Sequence, residues 1–135
     1  NMIHLKRMNY LKKFTNSVGF SDHSNSIEDG VKASIAAIYF GSEYIERHYR
    51  SLGPDDSKDG IVSIDAKQLK ELIDFSNMSK EDQDQYIVEN IPELELMKGQ
   101  EIRDLSNEEL LNRDYYRGRF CSKINNKPLF NWEDS

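Results

Sequence analysis

His23 and His48 are, by residue type, the side chains of this 135-residue chain best suited to chemistry, and a carboxylate, Glu46, precedes the second by two positions. Imidazole nitrogens combined with oxygen donors suit manganese, iron, cobalt or zinc. The two histidines are far apart in the chain, so they make no local metal motif, and only the fold can join them. On spacing alone, ordinary strand-end histidines are the simpler reading. In an extended segment Glu46 projects to the same side as His48. A carboxylate there could orient a substrate or move a proton, or pair with a neighbouring cation. Arg47 points the other way, toward helices or solvent. Ser21 and Asp22, just before His23, could bind phosphate or fix the imidazole, although Ser and Asp are favoured in turns on their own account. Asp55 ends a Gly53-Pro54-Asp55 turn, and its loop leaves the same strand that carries Glu46 and His48.

The elements that must position these residues can be read from the pattern. Residues 18–20 and 44–46 are short strand candidates. Between them Ile27, Val31, Ile35 and Ile38 mark one face of a helix over residues 27–40. Ser26, with Asp29 three residues on, is its predicted cap, and Gly41 its stop. Strand, helix, strand is a parallel crossover, almost always right-handed. The residues following each strand then meet on one edge of the sheet, where α/β proteins place their chemistry. Neighbouring strands lie about 4.8 Å apart, so side chains at their ends can share one metal ion.

Upstream, residues 2–15 read as an amphipathic helix with Ile3, Tyr10, Leu11 and Phe14 on its apolar face. Downstream, residues 51–64 form a loop rich in Gly, Pro and Asp. Asp65, with Gln68 three residues later, opens a helix that carries Ala66, Leu69, Leu72 and Ile73 on one face and ends near Asn77. Residues 79–90 read as helical, with Pro92 as the interruption. Ser106-Asn107-Glu108-Glu109 is a capping box for a short helix to about Tyr115. From Arg117 the chain reads as loop or short strand.

Composition excludes several classes. A net charge of −6 opposes non-specific nucleic-acid binding, which needs basic surface to release counterions. Cys121 is the only cysteine, so neither an intramolecular disulfide nor a thiolate zinc cluster can form. A reducing, cytoplasmic setting fits that usage. No apolar run approaches the roughly 20 residues that span a bilayer, so neither a membrane nor a nucleic acid is an expected partner.

Ser21-Asp22-His23-Ser24, Ile35-Ala36-Ala37, Glu46-Arg47-His48-Tyr49 and Gly53-Pro54-Asp55 follow one another in the order found in N-acetylneuraminate (sialic acid) synthases. Each motif alone is weak, and their joint order across one crossover unit is strong. The chain resembles that family over residues 18–77. The resemblance implies an α/β fold, the C-terminal βαβα portion of a TIM (β/α)8 barrel, over residues 1–78, followed by a partly helical polar tail over residues 79–135. It implies His23 and His48 as ligands of a divalent metal ion, manganese or magnesium. It implies Ser21 as a contact of phosphoenolpyruvate, Asp55 as a contact of an N-acylated amino sugar such as N-acetylmannosamine, and Glu46 as an aid to proton transfer. The implied reaction condenses the two substrates, with water replacing phosphate at the pyruvyl carbon.

Three departures from the family pattern stand out. The segment between the histidines is longer than usual, the loop after Asp55 is extended through Gly60, and the tail does not match the family's small antifreeze-like domain. Arg117, Arg119 or Lys123 could substitute for the arginine which that domain lends to a neighbouring subunit, although a basic surface turn is the plainer reading. A full barrel needs about 250 residues, so the expectation is a fragment of the synthase, inactive alone and assembling as a homo-oligomer. A non-catalytic interaction or regulatory module derived from such a barrel is the alternative, as is part of another phosphoenolpyruvate-dependent keto-sugar-acid synthase.

Overall fold

The computed structural model describes residues 3–116 and 121–130. They fall into two compact units, Asn1–Ile102 and Arg103–Ser135. The first is a mixed α/β unit holding α1 (Arg7–Leu11), β1 (Gly19–Asp22), α2 (Lys32–Tyr39), β2 (Tyr44–Arg47), α3 (Ala66–Ser76), α4 (Lys80–Asn90) and α5 (Leu94–Lys98). The second holds α6 (Asn107–Tyr115) and the strands β3 (Cys121–Ile124) and β4 (Lys127–Phe130).

The predicted crossover is present. β1 and β2 are parallel neighbours, with Gly19 opposite Tyr44 and Asp22 opposite Arg47. α2 links them, buried on both flanks. Val31 and Ile35 pack with Ile64, Leu72, Phe75, Ile87 and Ile91. Ala36 and Ala37, fully buried, join Leu5, Met8 and Val18, against which Phe20 and Ile45 of the strands also pack. Small side chains on that flank let the helix lie close to the sheet. Gly41, at φ +85, ends the helix. Its N–H donates to Ile38 O and that of Ser42 to Ala37 O, both at 2.9 Å, the paired bonds of a Schellman stop.

The start of α2 differs from the prediction. Asn25 Oδ1 accepts from the N–H groups of Ile27 and Glu28 at 2.9 and 3.2 Å, and Gly30 sits at φ +61. This turn delays the helix to Lys32 and leaves Ile27 55% exposed. Ser26, the predicted cap, is buried and donates instead to Ser63 O at 2.7 Å.

Asp65 and Gln68 form the predicted capping box of α3, which is capped at its end by Asn77. The buried face, however, is Leu72 and Phe75, while Leu69 and Ile73 are exposed. The helix is rotated because α4 packs beside it: Phe75 lies edge-on to Tyr86 at 5.2 Å. α4 follows a Ser79 cap and supplies Ile87 to the core, with Ile91 just beyond it. The first unit thus runs past residue 78 to Ile102.

The N-terminal helix is only one turn long. His4 adopts φ 54, and the N–H groups of Leu5 and Lys6 bond to Met97 O and Lys98 O at 3.1 and 3.0 Å. This tether buries Leu5 and Met8, leaving Phe14 72% exposed. The predicted apolar face of residues 2–15 is therefore not the one used.

In the second unit, Ser106 and Glu109 form the predicted capping box of α6. Arg103 bonds both carboxylate oxygens of Glu109 at 2.6 Å and holds its pKa down to about 2. β3 and β4 form an antiparallel hairpin, turning at Asn125 and Asn126, with φ 51 and 62. Both central residues at positive φ define the tight turn that matches strand twist. Arg117 and Arg119, and the side chain of Lys123, lie outside the described residues.

Candidate functional site

The parallel register decides which side chains share a face. Ser21 stands opposite Glu46 and Asp22 opposite Arg47. Side chains alternate across a strand. Phe20, Asp22, Ile45 and Arg47 therefore lie on the helix side, and Ser21, His23, Glu46 and His48 belong to the other. Burial agrees, since Ser21, His23 and Glu46 are exposed whereas Asp22 is only 2% exposed. His23 and His48 are the next residues after the last paired couple. Their rings meet edge to face, with centroids 5.0 Å apart. Four of the five candidate residues thus share one face at one end of the sheet.

Asp55, the fifth, is exposed in a 3-10 turn over Pro54–Asp56, on the loop that follows β2. The same loop brings Asp59 Oδ2 to 3.8 Å from His48 Nδ1. Gly60 makes this loop possible, because a Cβ there would lie 1.8 Å from Pro54 O. Asp59 was not singled out in the sequence. Only the loop's unusual length pointed toward it.

Behind the histidines lies a feature that the sequence reading missed. Asp22 and Arg47 form an ion pair whose side chains are 2% and 3% exposed. Arg47 also donates to Ser24 Oγ at 2.9 Å and Ser24 O at 2.8 Å. Asp22 accepts from Ser24 N at 2.8 Å and from Ser34 Oγ, on α2, at 2.5 Å. Arg47 therefore lies on the helix side as expected, but buried and paired. The signal was available: opposite charges at matching inward positions of adjacent strands must meet.

A cavity of about 460 Å³ opens beside β1, lined among others by Ser21, His23, Asp29, Glu93 and Met97. Lys32 bonds Glu93 at 2.8 Å and holds that carboxyl below the ordinary range. The cavity is thus lined by an exposed serine and an exposed imidazole together with carboxylates.

Two imidazoles in contact suit a divalent transition ion by ligand type. Among the described residues no cluster of three or more His, Cys, Asp or Glu donors surrounds them. Two imidazoles by themselves would supply only part of the coordination shell of such an ion.

A parallel crossover with two histidines just past its strand ends makes this a mixed α/β protein. The NeuB family model matches residues 1–87, and the chain belongs to the NeuB family. This bears out the resemblance to N-acetylneuraminate synthases and points to a synthase-type transferase with a sialic acid synthase-like function. No curated protein and no solved structure matches the chain. No described helix is long and apolar enough to cross a membrane.

Proposed function

We propose that this chain contributes the metal and acceptor face of an enzyme condensing phosphoenolpyruvate with an N-acylated amino sugar, such as N-acetylmannosamine, to a nonulosonic acid. The observation that carries the reading is the edge-to-face contact of His23 and His48 at the ends of adjacent parallel strands. A divalent ion, manganese or magnesium, held by these two imidazoles supplies Lewis-acid polarisation of an aldehyde oxygen. Ser21 offers a hydroxyl toward the phosphoenolpyruvate. Glu46, across the register from Ser21 and on the side of His48, is placed to accept or return a proton near the reacting carbons. Asp55, on the loop after β2, is the acceptor contact for sugar hydroxyls. Two parallel strands are a quarter of a (β/α)8 barrel, so the remaining phosphate donors would come from other strands.

The test has two arms. Titration of the chain with Mn(II) or Co(II) is expected to show one site, weakened at least about tenfold in His23→Ala and in His48→Ala, since each variant loses a direct ligand. No detectable binding, or binding indifferent to both variants, would overturn the metal assignment. A phosphate-release assay with phosphoenolpyruvate, N-acetylmannosamine and manganese is expected to be silent for the 135-residue chain, because positioning supplies much of the rate. A second reading, a non-catalytic interaction module, draws on the two-stranded sheet, whose outer edges offer unpaired backbone groups to another chain. It gains ground if the chain binds no divalent ion but associates with other chains.

A further inference from the structure

We infer that Asp22 and Arg47 act as positioning residues that set the distance between the His23 and His48 imidazoles; the inference rests on the metal reading proposed above. Each member of the pair immediately precedes one histidine. Asp22 holds the residue after His23 through Ser24 N, and Arg47 holds the same residue through Ser24 O and Oγ. Both chain neighbours of His23 are therefore fixed by one buried ion pair, and so is the residue before His48. Ser34 ties the carboxylate to the crossover helix at 2.5 Å, so the spacing is referred to the body of the fold and not to the exposed loops.

The pair is an expensive way merely to fill the core. Buried ion pairs add little net stability compared with apolar residues of similar volume, and here Arg47 Nε is buried with no hydrogen-bond partner. What the pair adds is geometry. A planar guanidinium directs donors to Asp22 and to two oxygens of Ser24 at once, which a lysine ammonium on a flexible stem does not reproduce. Residues that hold metal ligands in orientation commonly govern affinity by about 10–100-fold.

The experiment uses the full chain and two readouts: the ring-to-ring NOE between His23 and His48 without metal, and Co(II) affinity. Arg47→Lys keeps the charge and loses the fork. Its expected result is native far-UV circular dichroism, a weakened or lost NOE, and Co(II) binding about tenfold weaker. Ser34→Ala, which removes one bond to Asp22 and leaves the ion pair intact, is expected to give a smaller loss in both readouts, and it decides the matter if Arg47→Lys fails to fold. A folded variant with wild-type NOE and wild-type affinity overturns the inference. If the wild type shows the NOE but binds no Co(II), the metal reading falls. The positioning role is then judged on the NOE alone, holding if the variants lose it and failing if they keep it.

Discussion

Asp22 and Arg47 face each other across the parallel register as a buried ion pair, and the next residue of each segment is a histidine of the contacting imidazole pair. One pair of charges on the helix side of the sheet is thus matched by one pair of imidazoles past its edge. The energetic consequence can be separated from the positional one. Arg47→Met leaves a buried carboxylate uncompensated and is expected to cost about 3–5 kcal/mol, whereas Asp22→Leu combined with Arg47→Met should recover most of that loss. Urea unfolding followed by circular dichroism checks both. A double variant no more stable than the single one would show that the pair contributes stability of its own.

The core makes a second claim. Phe75 is fully buried between α3 and α4, among Leu72, Ile87 and Ile91. Phe75→Ala should destabilise the first unit by roughly 3–5 kcal/mol, the range for a large aromatic truncated in a packed core. Because Ile87 and Ile91 share that core, hydrogen-exchange protection in α4 should fall together with that in α3. Loss confined to α3 would mean that the two helices are not one cooperative unit.

How much of this was legible in the sequence depends on which residues carry the signal. The crossover follows from the helical period of Val31, Ile35 and Ile38 between two short strand candidates, and the shared face of Glu46 and His48 from period-two alternation, which is local and strict. The caps of α3 and α6 follow from side chains that bond their own backbone three residues on. The start of α2 did not, because Ser26 and Asn25 are equally good caps by type, and the choice was made by Ser63 across the chain. The buried face of α1, and that of α3 apart from Leu72, were missed for the same kind of reason. Met97 and Tyr86, distant in sequence, select Leu5 and Phe75 over neighbours of similar hydrophobicity.

The loop after β2 should be sensitive at Gly60. A Cβ added there would lie 1.8 Å from Pro54 O, so Gly60→Ala must displace the segment carrying Asp55 and Asp59. The expected cost, as for overpacking generally, is about 1–3 kcal/mol. NMR chemical shifts should change at Asp59 and His48, which face each other at 3.8 Å, and not in α4. Unchanged His48 resonances would mean that the loop relaxes without moving Asp59.

Alkaline stability offers the last test. The Tyr86 hydroxyl donates to Glu71 at 2.7 Å. Burial, and then the adjacent Glu71 carboxylate, push its pKa from 10.0 to about 12. A raised folded-state pKa means that the folded protein keeps a proton which the unfolded chain releases. The associated stability is fully present below pH 10 and is lost as pH rises through about 12. Tyr86→Phe has no proton to lose, so the difference in melting temperature between wild type and variant isolates this contribution from the other tyrosines. That difference should be constant below pH 10 and move against the wild type between about 10 and 12. Glu71→Gln, which removes the carboxylate and keeps an acceptor, should bring the folded-state pKa of Tyr86 closer to 10.0, so that the loss still begins near pH 10 but is smaller and complete at lower pH. A wild-type-minus-variant difference that stays flat through pH 12 would show that Tyr86 is as free to ionise in the folded protein as in the unfolded chain, and the packing of α4 on α3 would have to be redrawn.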